Sequence, residues 1–441
     1  MGSPLLSRVL ADLDEPVLRA RADTIETSTA PLASRLATGL LAWSSVTAAS
    51  LLAGTGDALP DPERTAVAYR SERVLRIDGA EPPVWAPLSG FWRTGDGWIR
   101  THANYPHHAA RLCAALRLPP AAAPDDLERA LLRLPTDEIL RDLAVHGALG
   151  VKVSAEDPET DARLRDTPLL AVSHRPGGHR RARTLPRGHR STPRSRDALP
   201  LDGIRVVDLT RVIAGPIATR TLALWGADVL RVDPPGLPEP EWQHLDTGQG
   251  KRSTVLDARS SRMEELLAAA DVVVLGYRPS ALTRLGLDVE SLADRHPHLV
   301  VAQLSAWGLD HPSRAGFDSL VQAESGIAWI ESPDGSRPGA LPAQALDHSA
   351  GYLLAAATLS LVRRREREAG TWAVRTSLRR IAAELLGMPR ADEPPALPPI
   401  DSAPHVDRFV VGGRVVTTAA SALPGRDYAP PRPWGLDQPA W

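Results

Sequence analysis

From residue 201 the chain repeats one unit: a short run dominated by Val, Ile and Leu, a turn, and a helical stretch. Ile204 to Leu209, Asp228 to Val232, Ser253 to Leu256, Asp271 to Leu275 and Leu299 to Leu304 read as strands, with helical stretches from Gly215-Pro216 to Trp225 and at 260–269, 279–285 and 288–295. Strands apolar along nearly their whole length must be buried on both faces, and their alternation with helices predicts a parallel sheet covered on both sides. Two further helices, 318–328 and 347–368, flank a Pro/Gly-rich loop at 332–342. The segment from Asp392 to Trp441 is Pro-rich, holds one expected hairpin across Gly412-Gly413, and is expected to wrap the surface.

The first half has another texture. Leu36 to Gly56 is uncharged and long enough to span a bilayer, but Thr38, Gly39, Ser44, Ser45, Thr47 and Ser50 dilute it, so it predicts a buried helix of a soluble protein. Asp96-Gly97, between runs holding Trp and Ile, predicts a hairpin because that pair accepts the positive φ of a tight turn. Helices at 107–117 and 124–146, split by Leu118-Pro119-Pro120, complete a small α+β unit over 1–172. Ser173 to Arg196 carries eight Arg, three His and no acid. With no aromatic residues to stack bases, the 173–200 stretch reads as a solvated basic linker rather than a nucleic-acid arm. The strand and helix repeat then occupies 201–390, and the Pro-rich tail 391–441.

Composition narrows the partners. The 441 residues suffice for two or three domains, and a formal charge of −2 offers no chain-wide field for nucleic acid or an anionic membrane. A single cysteine, Cys113, excludes a disulfide framework or a multi-thiolate metal site, and the expected compartment is a reducing cytoplasm. On an apolar helical face it reads as a small buried hydrophobe. The first residues lack the basic-then-apolar order of a signal peptide. His102, His107 and His108 have no recurring ligand spacing and no local acid or thiol, so no metal site is expected.

Chemistry is best sought where the first strand runs into a helix, at DLTRVIAGPIATR, because backbone amides at such a junction receive phosphate or a thioester ligand. Neither G-x-G-x-x-G nor G-x-x-x-x-G-K-[ST] is present, which disfavours dinucleotides and nucleoside triphosphates. Only two lysines occur, Lys152 and Lys251, so retention of Lys251 inclines its reading towards a role.

Six stretches in order resemble the landmarks of the class III CoA-transferases, typified by formyl-CoA transferase and carnitine CoA-transferase. They are LPLDGIRVVDLTRVIAGPIATRTLALWGADVLRVDPPG, GKRSTVLD, DVVVLGYRPSALTRLGL, HPHLVVAQLSAWG, GFDSLVQAESG and ALDHSAGYLLAAATLSLVRRRE, spanning about residues 200 to 385. FWRTGDGWIRTHANYPHHAARLCAAL, residues 91–116, is similar to the family's DGW segment, which in usual members follows the catalytic half, so the landmark order reads as permuted or as assembled from two family pieces.

The resemblance implies an α/β fold: an open Rossmann-like parallel-sheet domain with a second, smaller α+β domain. It also implies a homodimer, acyl-CoA and carboxylic acid substrates, and coenzyme A as substrate and product with no permanently bound cofactor. Carried over onto LDHSAG, it makes Asp347 the nucleophile. A carboxylate in a helix's first turn is favoured as an anion by free amides and the dipole, whereas the plain alternative is an N-cap. His348 is read as orienting the acyl group, as an acid, or, in the plainer alternative, as an ordinary first-turn residue. CoA contacts carry over to Val212, Ile213, Ala214, Lys251, Arg252, Tyr277, Arg284 and Leu285. For Lys251 and Arg252 the alternative is a structural ion pair, and for Arg284 a helix C-cap near Gly286. Two departures stand out: Gly276 replaces the family's usual Asn, and Pro234-Pro235 lack an arginine that some members use. Phe317, in Gly316-Phe317-Asp318, stands where related 2-methylacyl-CoA racemases carry a histidine base. Racemase activity is therefore an alternative short of one base, and a non-catalytic CoA-binding descendant is a third.

Overall fold

The computed structural model describes residues 2–54, 58–177 and 199–441. The five expected strands form at Arg205–Leu209, Asp228–Asp233, Arg252–Val255, Val272–Leu275 and Val300–Ser305. Two that sequence reasoning missed, Ala171–Pro176 and Gly370–Ser377, complete a seven-stranded sheet. Its order is 171–176, 370–377, 300–305, 272–275, 205–209, 228–233, 252–255. Neighbours run parallel except at the 171–176 edge, where Val172 pairs with Val374 in an antiparallel ladder. The fold is thus mixed α/β with a mostly parallel sheet.

Successive strand residues feed opposite cores, as a period of two requires. Val206, Val272, Val274, Val300 and Val374 join one core with the helices Ala214–Leu224, Thr38–Ala53 and Ala345–Arg367. Val207, Leu230, Val273 and Val301 join the other, with Ser261–Ala269, Pro279–Leu285 and Val289–Arg295. Gly351 lets the long helix approach Ala214–Leu224 closely, since a Cβ there would lie 2.7 Å from Ile217. Leu36 to Gly56 does supply a buried helix, Thr38–Ala53. Among the described residues no helix is long and apolar enough to cross a membrane.

The segment over 1–172 packs in two places. Its first helices share the core of the large sheet, through Leu6, Leu10, Leu41 and Leu52. A separate core of Leu88, Ile99, Leu112, Cys113, Leu127, Ile139 and Leu143 begins only later. There the hairpin of Gly90–Arg93 and Trp98–Thr101 pairs Arg93 with Trp98 across Asp96-Gly97, and Gly150–Lys152 adds a third strand. Cys113 is a buried free thiol in this core. The Val153 carbonyl accepts from the Trp329 indole, and the Ser154 N–H donates to the Ala323 carbonyl, docking the small unit on the large one.

Four expectations need correction. The 124–146 helix is two, Pro124–Leu131 and Thr136–His146, because Pro135 lacks the N–H that an unbroken helix needs. The 318–328 helix is Asp318–Glu324 followed by Ile327–Ile330, broken where Gly326 takes φ 93°. The basic linker cannot begin at Ser173, since residues through Pro176 are paired in the sheet, and Arg175 pairs with Asp294 at 2.6 Å. The rest of that stretch, 178–198, lies outside the described residues. The tail does more than wrap the surface. Its hairpin, Val406–Val411 with Arg414–Ala419, pairs with Arg76–Ile77, and Asp437 and Gly435 bond to Ser253 on the sheet edge.

Candidate functional site

The strands 205–209 and 272–275 lie side by side, yet the chain leaves them in opposite directions, to 228–233 and to 300–305. Such a reversal opens a crevice at the strands' carboxyl ends, where ligands of open α/β sheets bind. Val212, Ile213 and Ala214 form one lip, ending at the start of the helix Ala214–Leu224. Val212 is left-handed at φ 72°, a conformation that disfavours a β-branched residue by about 1–3 kcal/mol unless its surroundings fix it. Glu239 supplies that restraint: it accepts the Val212 N–H at 3.0 Å and pairs with Arg211 at 2.6 Å. Burial alone would raise the Glu239 carboxyl, but Arg231 and Arg211 outweigh it and hold it below the ordinary range.

The other lip begins at Gly276, whose N–H donates to Leu209 at 3.1 Å. A Cβ at Gly276 would sit 3.1 Å from the Thr210 side chain, so glycine here matches this chain's own neighbour. Tyr277 follows, with its hydroxyl buried and unbonded, and burial pushes that hydroxyl well up. Leu285 packs against the adjoining core and Arg284 is exposed on the last turn of Pro279–Leu285. The structure thus brings Val212, Ile213, Ala214 and Tyr277 to one crevice, with Arg284 and Leu285 on the helix that leaves it.

Lys251 and Arg252 are corrections to the CoA set. Lys251 is 1% exposed, and its Nζ donates to Asp208 at 3.2 Å, Thr219 at 2.9 Å and the Pro216 carbonyl at 3.1 Å. Burial pushes its ammonium down to about 8 although Asp208 opposes the shift. It braces the first turn of the helix behind the lip and has no donor left for a phosphate. Arg252 forks onto Asp228 with both bonds at 3.0 Å, and Asp228 begins its strand. That puts Arg252 at the amino edge of the sheet, opposite the crevice.

Asp347 stands in the first turn of Ala345–Arg367, and its N–H donates to the Asp318 carboxylate at 2.9 Å. Asp318 in turn accepts from Gln322, whose own carbonyl takes the Leu341 N–H at 2.9 Å. Both acids are buried. Burial raises Asp318 to about 6, and burial together with the Asp318 charge raises Asp347 well above the carboxylate range. The expected freely ionised Asp347 is therefore corrected: desolvation and a neighbouring acid outweigh the helix dipole. His348 is no acid either, since burial pushes it down to about 3 and its ring stacks on Tyr69 at 5.0 Å.

The small unit contributes side chains that sequence reasoning did not assign to the site. His102 lies flat on Phe317 at 3.6 Å, with its Nδ1 buried and unbonded. Tyr105 donates to Glu239 at 3.2 Å, beneath the Arg211 guanidinium at 4.6 Å from its ring. His107 and His108 are edge-on neighbours at 4.1 Å. Asp318 was within reach of sequence reasoning, since its triplet with Phe317 was already singled out; Glu239 and His102 carried no such local signal.

Residues 201–394 match the family model described as CoA-transferase family III. A probable fatty acyl-CoA transferase of Mycobacterium tuberculosis is 34% identical over 213 residues, 44% of this chain and 54% of that protein. Succinyl-CoA:glutarate CoA-transferase of Mus musculus is 33% identical over 157 residues, 32% of this chain and 36% of that protein. A crystal structure of a hypothetical protein from Mycobacterium tuberculosis aligns with TM-score 0.40 at 34% identity, covering 43% of this chain and 56% of that one. The chain thus spans about half the length, or less, of these relatives. Over residues 201–394, less than half of its length, the chain is thus similar to CoA-transferase family III.

Proposed function

We propose that the chain moves CoA from an acyl-CoA to a free carboxylic acid, with Asp347 as nucleophile. The observation that carries this reading is the buried Asp318–Asp347 pair at a helix N-terminus beside the sheet crevice. Two buried acids in contact do not both ionise readily, so the pair loses one proton and retains the other. The pair's remaining proton favours Asp347, the weaker acid; in the minor form that carries it on Asp318, the Asp347 carboxylate attacks the thioester carbonyl and expels CoA thiolate, leaving a mixed anhydride. The thiolate attacks the aspartyl carbonyl, releases the donor acid and leaves an aspartyl thioester. The acceptor carboxylate repeats the two displacements in reverse order, releasing acyl-CoA and restoring Asp347. No water or redox partner enters, and covalent capture divides one difficult exchange into easier steps. CoA would lie along Val212, Ile213, Ala214 and Tyr277, with Arg284 and Leu285 at its far end, and the homodimer and the domain limits at 200 and 390 belong to the same proposal.

One observation favours the racemase reading: His102 places an imidazole against Phe317, the position of the absent base. Incubation of a panel of acyl-CoAs and acids in heavy water, read by mass spectrometry, separates the two. The expected result is acyl exchange without deuterium at C2; deuterium uptake at a catalytic rate without exchange would replace the transferase reading by the racemase one.

Asp318 acts as a positioning residue. Asp318→Asn removes the charge that raises Asp347, so the acidic limb of the pH–rate profile is expected to move to lower pH. Stability gives the same sign. An unfolded carboxyl ionises near its ordinary value of 3.8 while the native pair keeps its protons, so wild-type stability falls as pH rises from about 3.8 through about 6. That fall should shrink in Asp318→Asn, and an unmoved limb would remove Asp318 from the account.

A further inference from the structure

Beside the carboxylate pair lies a cavity of about 600 Å³. Ser319, Gln322 and Gln344 line it from the large unit; Ser319 follows Asp318, Gln322 bonds to Asp318, and Gln344 immediately precedes the Asp347 helix. The remaining wall is rich in charge, but most of that charge is matched: Arg76 pairs with Glu81 at 2.6 Å and Arg73 with Glu72 at 3.7 Å. Arg100 is different. Among the described residues no carboxylate pairs with it, and its Nε is buried without a hydrogen bond.

Its guanidinium lies 4.9 Å from the Trp85 ring centroid and 4.7 Å from that of Phe91. Aromatic rings engage the face of a guanidinium and leave its N–H edge open for a planar anion. Burial pushes Arg100 down only to about 10, so it remains a cation at neutral pH. A half-buried cation without an anion is unfavourable, and a carboxylate is the group its fork fits best. Ser319 adds a second open position, its hydroxyl buried and unbonded in the same wall.

We propose that Arg100 receives the distal carboxylate of a dicarboxylic substrate, donor acyl group or acceptor acid, whose other carboxyl reacts at Asp347. The assignment rests on the transferase reading for the ligand's identity and deepens it, making the cavity selective for diacids over monoacids of equal length. Glutarate and pentanoate are the probes. Calorimetry on the full chain should show tighter binding of glutarate, and Arg100→Gln should reduce the ratio of the two affinities by about tenfold or more, the scale of one charge-assisted fork. In the wild type, glutarate but not pentanoate should protect Arg100 from phenylglyoxal, read by peptide mass, which serves even if the variant misfolds. An unchanged ratio in folded Arg100→Gln, or equal protection by both acids, would overturn the assignment. Neither readout needs turnover. A wild type that prefers glutarate but exchanges no acyl group sinks the transferase reading alone, and one that exchanges acyl groups without preference sinks this assignment alone.

Discussion

Asp347→Asn and Asp347→Ala are expected to lower acyl exchange by about 10³-fold or more, because each 1.4 kcal/mol of barrier is about tenfold and the covalent route disappears. The fold should survive. Gln344, not Asp347, precedes the helix, and the Asp347 contact seen in the structure is made by its backbone N–H to Asp318, which neither substitution removes. Replacing a buried acid whose carboxyl is pushed well up also relieves the pair, so Asp347→Asn should be at least as stable as wild type at neutral pH. Steady-state exchange and chemical denaturation measured on the same samples check both halves. Activity within tenfold of wild type in either variant would remove Asp347 as nucleophile.

The second large effect is on stability. Lys251→Met should cost about 3–5 kcal/mol, because Asp208 keeps a fully buried carboxylate after losing its cation. Asp208 would still accept from Thr210 at 2.5 Å and Thr219 at 2.6 Å, so the loss is that of an ion partner rather than of every bond. The double variant Lys251→Met with Asp208→Asn should recover much of it, as expected where breaking a buried pair is worse than replacing both members. Had Lys251 met a CoA phosphate, the single variant would unfold like wild type and lose only CoA affinity. Urea denaturation of the wild type and the two variants distinguishes these outcomes.

The same residue shows where sequence stops being legible. GKRSTVLD announces a basic pair before a strand, but nothing local tells that Lys251 turns inward beneath Ala214–Leu224 while Arg252 forks onto Asp228 at the far edge. Strand placement was legible because burial on both faces writes uninterrupted Val, Ile and Leu: Val272–Leu275 is buried at every position. Gly370–Ser377 escaped because Thr371, Arg375 and Thr376 interrupt the pattern, although six of its registered partners lie on Val300–Ser305. Asp347 was legible as the first-turn acid of a long helix. Its protonation was not, since that depends on burial and on Asp318, which lies 29 residues earlier in the chain. Arg100 likewise reads as one arginine among many until folding places it against Trp85 and Phe91 with, among the described residues, no acid to meet it.

The central claim is that an acyl group and then CoA pass through a covalent bond to Asp347. Hydroxylamine added to wild-type protein incubated with an acyl-CoA it turns over converts an aspartyl anhydride or thioester into a hydroxamate, which peptide mass spectrometry locates. The predicted result is a hydroxamate on Asp347 alone, formed only when acyl-CoA is present. A hydroxamate on another carboxylate, or none at all while exchange proceeds, would contradict the account.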